Sequence, residues 1–74
     1  MMKFILVDDY KVVREIDAYV YFPTAVNVKD AVKWFKETYP DYFIEEQCSS
    51  VCLLLIDSKG SVLKVWDKYR GWYQ

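Results

Sequence analysis

Residues 51–66 of the chain are VCLLLIDSKGSVLKVW, and this stretch decides the kind of fold that the protein adopts. Two apolar runs flank a polar segment in which Gly60 is placed to take the left-handed conformation that closes a short hairpin loop. The stretch predicts antiparallel strands at Val51–Ile56 and from Val62 to about Asp67. With residues 58–60 as the loop, the expected cross-strand pairs are Ile56 with Val62, Leu55 with Leu63, Leu54 with Lys64, Leu53 with Val65, and Cys52 with Trp66.

This register makes both faces of the hairpin apolar. Because successive side chains of a strand point to opposite faces, the pairs separate into two sets. The set expected to form the core is Leu53, Leu55, Leu63 and Val65. The set on the opposite face is Cys52, Leu54, Ile56, Val62, Lys64 and Trp66.

The segments before the hairpin predict the rest of the fold. Residues 3–7 are apolar on both faces and indicate a strand inside a sheet, and residues 11–22 alternate as a long half-buried strand that Pro23 ends. Helical spacing from Val28 to Tyr39, with Asn27 as the N-terminal cap, predicts a helix that Pro40 stops, and residues 42–48 are interpreted as a further strand. We therefore expect one α+β domain, residues 1–74, in two layers: an antiparallel sheet of about five strands, in the chain order β-β-α-β-β-β, with one helix packed on one face.

The composition argues against some classes of binding partner and predicts where in the cell the protein is located. Ten basic and eleven acidic residues nearly cancel, so no overall field attracts nucleic acid or an anionic membrane. The apolar runs are far shorter than a membrane span, and the N-terminus makes a poor signal peptide. These features predict a cytoplasmic protein without a membrane partner.

The residue types needed for common catalytic and metal sites are scarce. The chain has no histidine and only two cysteines, Cys48 and Cys52, which predicts neither a zinc site nor an activated nucleophile. Two free buried thiols are favoured over a disulfide across a tight hairpin. Glu45 and Glu46 point to opposite faces of a strand, and the two glycines are too far apart for a phosphate loop. We expect no enzyme activity and no cofactor.

The apolar side chains exceed what one helix covers, and this excess predicts a binding surface. The residues expected to form it are Tyr19, Tyr21, Leu54, Ile56, Val62, Trp66 and Trp72. A C-terminal tail folded back over the same face, with Tyr69, Trp72 and Tyr73 as cover, is the alternative, and it would remove the need for a partner.

The favoured hypothesis is a small non-enzymatic protein-interaction module that forms a homodimer or binds and inhibits a larger protein. Small chains of this kind are common among phage and mobile-element products that inhibit host enzymes. The alternative is a nucleic-acid-binding domain that uses a lysine stripe on the helix, formed by Lys29, Lys33 and Lys36. Under the favoured hypothesis, Trp66→Ala is expected to weaken association more than folding.

Overall fold

The computed structural model describes residues 2–23, 27–44 and 50–73. Its strands are β1 (Lys3–Asp8), β2 (Lys11–Asp17), β3 (Val51–Ile56), β4 (Val62–Asp67) and β5 (Gly71–Tyr73). Its helices are α1 (Ala18–Tyr21), α2 (Val28–Thr38) and a 3-10 helix at Pro40–Phe43. The five strands form one sheet in the order β2-β1-β3-β4-β5, with every neighbouring pair antiparallel. The predicted α+β class, with a five-stranded antiparallel sheet and one main helix, is confirmed.

The hydrophobic core lies on one side of the sheet, which we call the inner face. Strand residues of this cluster are Phe4, Leu6, Ile16, Val51, Leu53, Leu55 and Trp66. Ala18 of α1 and Ala31 and Phe35 of α2 belong to the same cluster. The amphipathic pattern that predicted a helix after Asn27 therefore places the apolar side of α2 against the inner face.

Helix α2 begins where its cap residue predicts. The Asn27 side-chain oxygen accepts hydrogen bonds from the backbone N–H groups of Lys29 at 2.9 Å and Asp30 at 3.4 Å. These two groups have no partner within the first helical turn, so the cap satisfies them. The helix ends at Thr38, one residue before the predicted end, and Pro40 then starts the 3-10 helix.

The prediction of one long strand over residues 11–22 is wrong in its second half. Strand β2 ends at Asp17, whose carboxylate accepts hydrogen bonds from the N–H groups of Tyr19 at 2.8 Å and Val20 at 3.3 Å. This cap turns the chain into α1, because an aspartate that satisfies the first free N–H groups favours a helix start. Tyr19 and Tyr21 therefore lie in α1 and not on a strand.

The prediction of a strand over residues 42–48 is wrong for the part that the structure describes. Tyr42 and Phe43 belong to the 3-10 helix, and Ile44 follows it outside any strand. Proline at the first helical position has a φ already suited to a helical turn, and Tyr42 N–H donates to the Tyr39 carbonyl at 3.1 Å. Residues 45–48 lie outside the described residues.

The predicted register of the β3–β4 hairpin holds for the first pair only. Ile56 pairs with Val62 as expected, but a β-bulge follows, and Leu55 then pairs with Lys64. The next pairs are Leu54 with Val65 and Leu53 with Trp66. A bulge inserts one residue into a strand, so every later side chain changes face. Trp66 therefore lies on the inner face and Val65 on the opposite one, the reverse of the prediction.

A second bulge has the same effect in the β1–β2 hairpin. Phe4 pairs with Ile16, but beyond a register shift after Leu6 the partner of Val7 is Val12. Ile16 belongs to the inner cluster, whereas Val12 is 61% exposed. The predicted alternation over residues 11–22 requires Val12 and Ile16 to share one side, and this part of the prediction is therefore wrong.

The C-terminal tail extends the sheet and does not fold over it. Val65 pairs with Tyr73, and Trp66 pairs with Trp72, so β5 becomes the edge strand beside β4. The Trp72 indole N–H donates to the Val28 carbonyl of α2 at 2.9 Å, which places this ring on the inner side. The alternative in which the tail covers the second face is therefore wrong.

No α-helix in residues 2–23, 27–44 and 50–73 is long and apolar enough to cross a bilayer.

Candidate functional site

The face of the sheet opposite the inner cluster carries hydrophobic side chains on all five strands, and we call it the outer face. Residues paired directly across neighbouring strands share a face, as do alternate residues along one strand. Direct pairing connects Val12, Val7 and Cys52 in one row, Glu15, Ile5, Leu54, Val65 and Tyr73 in a second, and Asp17, Lys3, Ile56 and Val62 in a third. The charged residues Glu15, Asp17 and Lys3 lie towards the β2 edge, and we define the outer face by the nine other residues.

None of the outer-face residues belongs to the buried cluster that the helices share. Every described helical residue that is not exposed packs on the inner cluster: Ala18, Val28, Ala31, Val32, Trp34, Phe35, Tyr42 and Phe43. The described helices therefore contribute all their buried apolar surface to one side of the sheet. The other side receives no cover from them.

Exposure differs among the outer-face residues. Ile5 is 7% exposed between its two neighbouring strands, whereas Val62 is 48% and Val12 is 61% exposed. The remaining six residues are half-buried. Large apolar surfaces of this kind on small proteins most often belong to interfaces.

A groove of about 390 Å³ adjoins the outer face at the end where β1 meets the start of β3. Its lining residues are Val7, Asp9, Tyr10, Ser50, Val51, Cys52 and Asp67. The Asp8 carboxylate accepts a 2.7 Å hydrogen bond from the Ser50 hydroxyl, and this bond joins the end of β1 to the residue before β3. Val7 and Cys52 belong to both the groove and the outer face, so the two form one continuous surface.

Tyr10 borders this groove in an unfavourable backbone conformation. It is 97% exposed and has a φ of 65°, directly after Asp9 with a φ of 51°. A left-handed conformation costs about 1–2 kcal/mol for a residue with a Cβ, and glycine usually occupies such a position. The Tyr10 ring recovers none of this cost through burial in the chain itself.

Asp67, Arg70 and Tyr73 form a polar cluster where β5 borders the outer face. Burial alone would raise the pKa of Asp67. The N–H groups of Arg70 and Tyr69, the Tyr73 hydroxyl and the Arg70 guanidinium outweigh this effect and hold the pKa below its ordinary value. The Arg70 guanidinium is 3.4 Å from Asp67 and lies 4.3 Å from the centre of the Tyr73 ring.

Cys52 lies on the outer face as a free thiol. Burial, and then the negative charge of Asp67, raise the pKa of this thiol above its ordinary value. A thiol with a raised pKa stays protonated at neutral pH and is a poor nucleophile. Cys48 lies outside the described residues.

The structure divides the seven residues predicted to form the binding surface. Leu54, Ile56 and Val62 lie together on the outer face. Trp66 and Trp72 pack on the inner cluster, which corrects their placement, and the reason is the bulge in β4. Tyr19 is exposed on α1, and the Tyr21 ring contacts Trp34 of α2 with a centroid distance of 4.9 Å.

Six outer-face residues were missing from the predicted surface: Ile5, Val7, Val12, Cys52, Val65 and Tyr73. The hairpin register already predicts Cys52 on that side of the sheet, although it was not among the expected binding residues. A signal for two of the others is present in the sequence, since residues 3–7 are apolar on both faces. Val12, Val65 and Tyr73 reach the face only through the two bulges and the pairing of β5.

The lysine stripe lies on the exposed side of α2. Lys29, Lys33 and Lys36 are all exposed. The Lys33 ammonium is 4.0 Å from the Glu37 carboxylate, and the Lys36 ammonium lies 5.6 Å from the centre of the Trp66 ring. Two of the three lysines thus interact with residues of the chain itself.

Within the part of the chain that the structure describes, no three potential metal ligands lie close together. No protein-family model, curated protein or solved structure matches the chain.

Proposed function

We propose that this protein is a small non-enzymatic protein-interaction module and that the outer face is its docking surface. The observation that carries the proposal is the one-sided packing of the helices. Their buried residues join the inner cluster, while nine residues of the outer face form three connected rows outside it. The described helices leave this surface uncovered. Its burial against a partner therefore adds favourable hydrophobic free energy.

The composition of the surface also favours a protein partner. Aliphatic residues occupy its centre, and Tyr73 and Tyr10 lie at its margin and beside its groove. Interfaces commonly combine an apolar centre with tyrosine and arginine near it, as the Arg70 guanidinium over Tyr73 provides here. The positive φ of Tyr10 lowers the free energy of unfolding, and its exposed ring makes no compensating contact in the core. We therefore attribute the Tyr10 side chain to recognition of the partner.

The chemistry of the face supports a binding role over a catalytic one. Cys52 is the nucleophilic side chain among the nine outer-face residues, and its raised pKa keeps it protonated at neutral pH. The carboxylate beside it, Asp67, accepts hydrogen bonds from two backbone N–H groups. These bonds compete with any use of that carboxylate as a base.

The test is affinity capture with matched variants, followed by binding measurements on purified proteins. Leu54→Glu places a charge at the centre of the outer face, and Thr38→Glu places the same charge at an exposed position of α2. We expect the wild type and Thr38→Glu to retain a common protein partner that Leu54→Glu loses, with at least a tenfold weaker Kd for the purified pair. Equal retention by folded Leu54→Glu would contradict the proposal.

The same preparations test the alternative of nucleic-acid binding. Labelled RNA or DNA is added at low salt to the wild type and to a variant with Lys29, Lys33 and Lys36 all changed to alanine. A shift of the polynucleotide that the triple variant abolishes would favour the lysine stripe. Under our proposal no such shift occurs.

A further inference from the structure

We propose that the partner on the outer face is a second copy of this chain, stacked face to face about a twofold axis that runs along β3. This inference rests on the proposed function and specifies its partner. Strand β3 is the middle strand of the five. Rotation about it therefore places β1 over the partner's β4, and β2 over the partner's β5.

The central row of the outer face supports this arrangement. From one edge of the sheet to the other, directly paired residues are Glu15, Ile5, Leu54, Val65 and Tyr73. Leu54 is the middle residue, so it meets its own copy at the axis. Ile5 then meets Val65 of the second copy, and each aliphatic residue of the row contacts another aliphatic residue.

The two ends of this row carry side chains of opposite charge, and the positive one, Arg70, already pairs with Asp67 of its own chain at 3.4 Å while staying largely exposed. Glu15 is exposed at the β2 end. At the β5 end, the Arg70 guanidinium lies over the Tyr73 ring with its side chain 67% exposed. The rotation brings Glu15 of one copy to Arg70 of the other, and the symmetry creates this pair twice. Opposite charges at both margins select this alignment over one that places like edges together.

The size of the face suits a weak homodimer. The strands are 6, 7, 6, 6 and 3 residues long, and with about 4.8 Å between strands and a rise of about 3.3 Å per residue they span a plane of roughly 450 Å² per copy. The total of about 900 Å² lies below the standard interface size, so dissociation in the micromolar range is expected. Sheets stacked in this way keep their strands within about 30° of each other, which a twofold axis near β3 allows.

Sedimentation equilibrium of the full chain, from about 1 to 500 μM at low and high salt, tests the inference. We expect a concentration-dependent dimer that Leu54→Glu abolishes, because two carboxylates would meet at the axis. Glu15→Arg places like charges opposite Arg70 and should weaken dimerisation at least tenfold. The double variant Glu15→Arg with Arg70→Glu should restore it.

Glu37→Arg is the matched control, since it makes the same charge change on the exposed side of α2 and should leave the dimer unchanged. Circular dichroism establishes whether each variant is folded. Because Glu15 is exposed, its variants are expected to fold even if Leu54→Glu does not. A folded wild type that stays monomeric over the whole range would overturn the inference, as would a dimer that Glu15→Arg leaves unchanged. If that monomer still binds a different protein through Leu54, the inference fails while the proposed function stands.

Discussion

Trp66 pairs with Leu53 across the β3–β4 ladder, and its ring packs between the two helical segments of the inner side. The ring centroid is 5.8 Å from that of Phe43, and the Lys36 ammonium lies 5.6 Å from it on the side of α2. Only 8% of the residue is exposed. Trp66 therefore connects the hairpin to α2 and to the 3-10 helix.

Removal of this ring should unfold much of the protein. Trp66→Ala is expected to cost about 3–5 kcal/mol of unfolding free energy, which is close to the total stability of a domain of this size. Urea unfolding followed by circular dichroism measures the loss, with Tyr69→Ala as the control because Tyr69 is exposed. This replaces the expectation, drawn from the sequence, that Trp66→Ala mainly weakens association. A variant with the stability of the wild type would contradict the buried position of the ring.

The hydrogen bond from Trp72 to α2 should stabilise the edge strand. Trp72→Phe keeps an aromatic ring but removes the indole N–H that donates to the Val28 carbonyl, and we expect a loss of about 1 kcal/mol. Hydrogen exchange should accelerate most in β5, whose three residues pair with β4 alone. Unchanged exchange in β5 would argue against a role for this bond.

Asp67 should make stability depend on pH in the acid range. The folded-state pKa of Asp67 is lowered, so its contribution is fully present above the unfolded value near pH 4 and is lost as the pH falls through the folded-state value. Asp67→Asn should therefore be less stable than the wild type at neutral pH, and the difference should shrink below about pH 4. Thermal unfolding from pH 2 to 7 measures this difference. Tyr73→Phe removes one donor to Asp67 and should give an intermediate result, whereas a constant difference at all pH values would contradict the assignment.

Tyr10→Gly should stabilise the isolated chain. Glycine relieves the left-handed strain of the β1–β2 turn, and Asp-Gly is a preferred pair in two-residue hairpin loops. The greater freedom of glycine in the unfolded chain offsets part of the gain, so the net increase is about 0.5–1 kcal/mol. Tyr69→Gly is the control, since Tyr69 is also an exposed tyrosine but does not have a positive φ, and it should lose stability. A decrease for Tyr10→Gly would mean that the Tyr10 ring stabilises the fold.

Several parts of the fold follow from local chemistry that the sequence displays. Gly60, with a φ of 84°, closes the hairpin where the sequence predicts a left-handed residue. Asn27 caps α2, and Pro40 follows its end. These signals act within a few residues, so they are readable without a tertiary structure. The presence of a second apolar face was also predictable, because residues 51–56 are apolar throughout.

The sequence placed Leu54, Ile56 and Val62 on that second face correctly, but tertiary structure decided which residues of β2, β5 and the second half of β4 join them. A hairpin loop determines only the first pair, Ile56 with Val62, and a bulge one residue further exchanges the faces of Val65 and Trp66. The bulge allows the larger ring to pack against α2 and the 3-10 helix, a contact between segments distant in sequence. The pairing of β5, only three residues long, likewise depends on β4 being in place. The sequence by itself determined which segments are apolar and where the chain turns, whereas long-range packing decided which side of the sheet each residue faces.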